Sequence, residues 1–121
     1  MDRKTTIMIA DRNRNVREFL KREMVSENYR VICAEDAKTM FKRALEPFMV
    51  DVLIIDPNLP DMEPSEIMRR LARRRPVLPI IVHCLSEEDD FSPPTDSVRF
   101  VEKGGGSIEV IKQILRDRTA G

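Results

Sequence analysis

Asp11 and Asp56 each stand at the end of a short apolar run, Ile7-Met8-Ile9-Ala10 and Val52-Leu53-Ile54-Ile55. Lys103 closes a third segment, Val98-Arg99-Phe100-Val101-Glu102, in the same way. A carboxylate is a possible nucleophile, and an ammonium beside it can pair with an oxyanion that forms on it. Two carboxylates and one lysine therefore suit transfer of a charged group onto an aspartate. That chemistry requires residues far apart in sequence to meet at one place, which is a demand on the elements that carry them.

Two periodicities alternate along the chain. Val16, Phe19, Leu20 and Met24 follow the first apolar run with helical spacing. Tyr29, Val31 and Cys33 alternate with mostly polar neighbours and read as a second strand. Ala37, Met40, Phe41, Ala44 and Leu45 return to the helical period, with Asp36 placed to cap and Pro47 near the stop. After the run ending in Asp56, Pro64 opens a helix bearing Ile67, Met68, Leu71 and Ala72, because its missing N–H would be unpaired there in any case. Ile80-Ile81-Val82 is a further apolar run that ends at Cys84, and Ile108, Ile111, Ile114 and Leu115 mark a last helix. Strand and helix in strict alternation imply a parallel sheet covered on both faces. The unbroken runs, strands one, three and four, suit its interior, and the mixed strands two and five suit its edges. That is the flavodoxin-like (βα)5 order 2-1-3-4-5, and in such sheets ligands bind beyond the carboxyl ends of the strands. Asp11, Asp56, Cys84 and Glu102-Lys103 all lie at those ends.

The chain's 121 residues suit one domain, 1–121, with a single core. Lysine plus arginine and aspartate plus glutamate number 21 each, so no global charge draws the chain to nucleic acid or to an anionic membrane. No apolar stretch reaches about 18 residues, and no signal-peptide core precedes the first strand. Cys33 and Cys84 lack C-x-x-C or metal-ligand spacing and fit buried thiols in a reducing cytoplasm.

The segment from Asp51 to Met62, DVLIIDPNLPDM, resembles the phospho-acceptor strand and following loop of bacterial response-regulator receiver domains. Asp11-Arg12 with Val16-Arg17 and Phe19-Leu20 resembles their acidic pair and first helix. Pro79 to Cys84 resembles their fourth strand, and Phe100-Val101-Glu102-Lys103 their fifth. The resemblance implies a two-component role in which Asp56 takes a phosphoryl group from the phosphohistidine of a sensor kinase or phosphotransfer protein. Asp11, Asp56 and the Asn58 carbonyl would then hold Mg2+, and Lys103 would grip a phosphoryl oxygen. Cys84 and Phe100 fall at the family's switch positions. It implies no enzyme beyond slow self-phosphorylation and autodephosphorylation.

Several residues depart from the pattern. Arg12 stands where the family has its second acid, and a positive charge about 5 Å from Mg2+ repels it by at most roughly 6–7 kcal/mol at an effective dielectric of about 20. Either metal binding weakens, or the guanidinium stands in for the metal and holds phosphate bidentately. Cys84 replaces a hydroxyl with a poorer donor and reads sooner as a small buried hydrophobe; Phe100 reads equally as a core-packing edge residue. Gly104 follows Lys103 in place of the usual proline, so a glycine loop is expected to position the lysine. Gly104-Gly105-Gly106-Ser107 reads as a loop before a serine-capped helix. Ser86-Glu87-Glu88-Asp89 begins a fourth helix that Pro93-Pro94 cuts short, which would alter the family's output face. These departures keep a second function open, a phosphorylation-independent pseudo-receiver that binds partner proteins; a third, an unrelated flavodoxin-like protein, lacks the glycine needed after strand one. Arg69, Arg70 and Arg73–Arg75 read as a solvated helix end, His83 as a packed strand residue, and Asp61 and Glu63 as solvated turn acids. The arginine-rich and Phe91-containing surfaces leave room for self-association.

Overall fold

In the computed structural model, which describes residues 4–44, 49–85 and 97–119, the alternating pattern becomes β1 (Thr6–Ala10), α1 (Arg14–Ser26), β2 (Arg30–Ala34), α2 (Ala37–Ala44), β3 (Val52–Ile55), α3 (Pro64–Arg73), β4 (Ile80–Cys84), β5 (Val98–Glu102) and α4 (Ser107–Thr119). The five strands pair in parallel in the order β2-β1-β3-β4-β5. Every residue of β1, β3 and β4 is buried, whereas β2 and β5 are mixed. The unbroken apolar runs are thus the interior strands, as a sheet covered on both faces requires. The shortened helix expected to begin at Ser86 and to end by Pro93-Pro94 lies outside the described residues.

Alternate residues of each strand feed two cores. Met8, Ala10, Leu53, Ile55, Ile80, Val82 and Cys84 pack with α2 and α3 through Met40, Phe41, Ile67, Met68 and Leu71. Ile7, Ile9, Ile54, Ile81 and Val101 pack with α1 and α4 through Leu20, Met24, Ile111 and Leu115. Phe19, counted by its spacing with the apolar face of α1, is instead 45% exposed. The buried stripe runs through Leu20 and Met24, and Phe19 sits at its flank.

The helix starts fix the loops at the carboxyl end of the sheet. Asn13 caps α1, its side-chain oxygen accepting from the amides of Asn15 and Val16. At α2 the expected cap, Asp36, accepts from the Thr39 amide at 2.8 Å. Asp61 adds a second carboxylate there, accepting from Ala37 at 2.7 Å and Lys38 at 3.0 Å. Asp61 is therefore more than the solvated turn acid expected of it: it binds the loop after β3 to the start of α2, whose first amides would otherwise lack partners. The arginine cluster is also not uniformly solvated. Arg69 and Arg70 pair with Glu66, but Arg74 is buried and donates to the Pro76 carbonyl at 2.7 Å.

Candidate functional site at the carboxyl end of the sheet

β1 and β3 are neighbours, and Asp11 and Asp56 are the first residues beyond them. The Asp56 amide donates to the Ala10 carbonyl and the Asp11 amide to the Ala34 carbonyl, so each aspartate is held by the last rung of a ladder. Lys103 is the first residue beyond β5, and its amide donates to the Cys84 carbonyl at 2.7 Å. Position thus comes from the β4–β5 ladder and not from the glycine loop expected to supply it. The side chain of Cys84 lies fully buried in the core facing α2 and α3, with Phe100 half-buried against the same core. Neither lines the cleft, and the contribution of Cys84 to it is a backbone carbonyl.

The three chemical groups meet. Lys103 Nζ lies 2.8 Å from Asp11 Oδ2 and 2.7 Å from Asp56 Oδ2, with Asp11 2% and Asp56 7% exposed. The second oxygens accept from backbone: Asp11 Oδ1 from the Asn13 amide at 2.8 Å and Asp56 Oδ1 from the Asn58 amide at 2.9 Å. Burial pulls the Lys103 ammonium down, but hydrogen bonds and charge from the two aspartates outweigh it and hold the group above its ordinary 10.5. A cleft of about 460 Å3 opens over this centre, lined by Asp11, Arg12, Asn13, Asp56, Asn58, Leu85 and Lys103. Leu85 is 74% exposed at its mouth and is an unexpected member.

Three contacts had no signal in the spacing. Arg17 Nη1 donates to the Asp11 carbonyl at 2.7 Å and so fastens α1 to the end of β1. Asp61 restrains the loop that carries Asn58. His83, beneath the cleft, meets Ser107 Oγ at 3.1 Å through Nε2. The hydroxyl of Ser107 donates to the Gly104 carbonyl, so it receives the imidazole N–H and does not cap α4 as expected. Nδ1 of His83 is then a bare, buried acceptor without a partner among the described residues.

The residues present fit a magnesium ion poorly. Such an ion takes near-octahedral oxygen ligation. Here two carboxylates share an ammonium, their remaining oxygens take backbone amides, and the neighbouring side chain that would add a third carboxylate is Arg12. No group of three acids, histidines or cysteines among the described residues could hold a metal ion.

Residues 7–104 match the family model of the response regulator receiver domain. The chain belongs to that family. Among curated relatives, this receiver is 34% identical over 79 residues to the response regulator ArlR of Staphylococcus epidermidis, covering 64% of the chain and 35% of that protein. With ArlR of Staphylococcus aureus it shares 30% over 86 residues, covering 71% of the chain and 39% of the relative. The receiver thus spans little more than a third of the length of these bacterial relatives. Its fold matches the response regulator TrrA of Thermotoga maritima, solved in complex with Mg2+-BeF, with TM-score 0.78 and 20% identity over 93% of this chain and 97% of that one. It also matches the chemotaxis response regulator CheY4 of Vibrio cholerae, with TM-score 0.80 and 18% identity over 94% and 98%. No helix among the described residues is long and apolar enough to cross a membrane.

Proposed function

We propose that this receiver accepts a phosphoryl group on Asp56 from the phosphohistidine of a sensor histidine kinase or phosphotransfer protein, and that it loses the group slowly by hydrolysis. The observation that carries this reading is the Lys103 ammonium, 2.7 Å from the Asp56 carboxylate at the floor of an open cleft. A carboxylate has about four lone-pair sites; the Asn58 amide and Lys103 occupy two, which leaves a pair free to attack. An Asp56 oxygen forms the new bond to phosphorus as the bond from phosphorus to the imidazole nitrogen breaks, its electron pair remaining on the ring. Negative charge that builds on the phosphoryl oxygens meets an ammonium already in place, which is where preorganised charge is most effective. Asp11 keeps Lys103 oriented throughout. A reducing cytoplasm suits Cys33 and Cys84, neither of which is in a disulfide.

Incubation with acetyl phosphate followed by intact mass tests the proposal. The expected result is a gain of one phosphoryl group that disappears in Asp56→Asn; a chain that stays unlabelled under every metal condition would refute it. A second reading, a pseudo-receiver that binds partners without phosphorylation, is favoured by one observation: Lys103 already pairs with both carboxylates, so each has an ionic partner at rest without any added group.

A further inference from the structure

The cleft contains its own charge balance. Asp11 and Asp56 contribute −2, and Lys103 and Arg12, which line the same cleft, contribute +2. We infer that Asp56 takes up and retains its phosphoryl group without a divalent cation, because Arg12 supplies the positive charge that such an ion would bring. This inference rests on Asp56 being the acceptor.

The charge arithmetic is specific. With an aspartate at position 12 the cleft would hold three carboxylates and one ammonium, a net charge of −2, which one divalent ion cancels. Arginine at that position changes the fixed charge by two and brings the cleft to zero with no ion. A phosphoryl group on Asp56 carries roughly −2 in place of the carboxylate's −1, so the loaded cleft stands near −1. An acidic cleft holding a divalent ion would reach the same value. The two arrangements are electrostatic equivalents, and this chain has the one that needs no metal.

Geometry points the same way. Arg12 is exposed at the mouth and has no hydrogen-bond or ion-pair partner among the described residues. It also lines the adjoining cleft formed with Asn58, Leu59 and Pro60, so its side chain reaches over the acceptor loop. A planar guanidinium presents paired N–H donors that match two phosphoryl oxygens, and it stays protonated at any working pH. Metal entry is disfavoured from the other side, since a cation approaching either carboxylate would meet the charges of both Lys103 and Arg12. In the transfer the new bond runs from Asp56 to phosphorus and the old bond breaks toward the donor. Arg12 and Lys103 keep their protons, and nothing else enters or leaves.

The test is labelling by acetyl phosphate in excess chelator and, in parallel, in millimolar magnesium, with calorimetric titration of magnesium into the unlabelled protein. Equal labelling in both media, with no heat of magnesium binding, is the expected result. Arg12→Ala should slow labelling in chelator by roughly tenfold or more, as loss of one preorganised donor does. Arg12→Asp should bind magnesium and label only in its presence. Labelling of the unaltered protein that requires magnesium overturns the inference while the acceptor assignment stands. Undiminished labelling of Arg12→Ala in chelator overturns it as well. Absence of labelling in both media removes the acceptor assignment and this inference together.

Discussion

Lys103 and Asp61 show how much depends on single side chains. One ammonium serves two nearly inaccessible carboxylates, and removal of a partner from such a group leaves charge buried without compensation. Lys103→Met should therefore lower unfolding free energy by about 3 kcal/mol at neutral pH, measured by urea titration. The pH dependence has a definite sign. The folded chain holds the lysine proton more tightly than the unfolded one, so the contribution is complete below 10.5 and is lost as pH rises beyond it. The variant should lack that alkaline loss; an identical alkaline limb in both proteins would show that Lys103 is not the group responsible. Asp61, although exposed, closes two orphan amides of α2, and Asp61→Ala should cost about 1 kcal/mol in the same assay. The Ala37 amide, chiefly, holds its carboxyl below the ordinary 3.8, against a smaller opposing effect of burial. Its cap is therefore present at neutral pH and fails only as pH falls below that value, so the cost of the alanine variant should vanish in strong acid.

At the scale of elements, the strands were legible because burial on both faces leaves a plain mark. Ile7–Ala10, Val52–Ile55 and Ile80–Val82 contain no polar residue, which is the near-continuous apolar run of a parallel interior strand. Strand ends then placed Asp11, Asp56 and Lys103 without further information. What stayed illegible depends on loop paths. Asp61 reaches residues 24 positions earlier, and His83 meets Ser107 24 positions later; no local period encodes either. The exposure of Phe19 was hidden for a related reason, since helical spacing identifies a stripe but not its width. His83 is the element-scale device with a measurable consequence. Burial, aided by the Lys103 charge and opposed by Asp11 and Asp56, holds its pKa below 6.5, so the unfolded chain binds the proton more readily. Stability should be full above pH 6.5 and decline as pH falls below it, and His83→Gln should flatten that decline in thermal melts. A variant that declines as steeply as the unaltered chain would place the effect elsewhere.

For the molecule as a whole, two cores on opposite faces of one sheet share their strands residue by residue. The cleft sits where both end: Arg17 of α1 holds the Asp11 carbonyl, Ser107 of α4 meets His83 of β4, and Asp61 ties the start of α2 to the loop that carries Asn58. The two faces are not tied alike. Lys112 and Arg116 of α4 pair with Glu23 and Glu27 of α1, an ionic strap across one side of the sheet. The other side is joined through a carboxylate and the acceptor loop itself.

The sheet also has two borders, β2 and β5, each only five residues long. An open strand border offers a row of unpaired amides and carbonyls to any extended chain that drifts alongside. Here the borders carry Arg30 at one end and Arg99 with Glu102 at the other, all exposed. Short, charged margins of this kind discourage edge-to-edge stacking. The margins of the sheet thus refuse the growth that its apolar centre would favour.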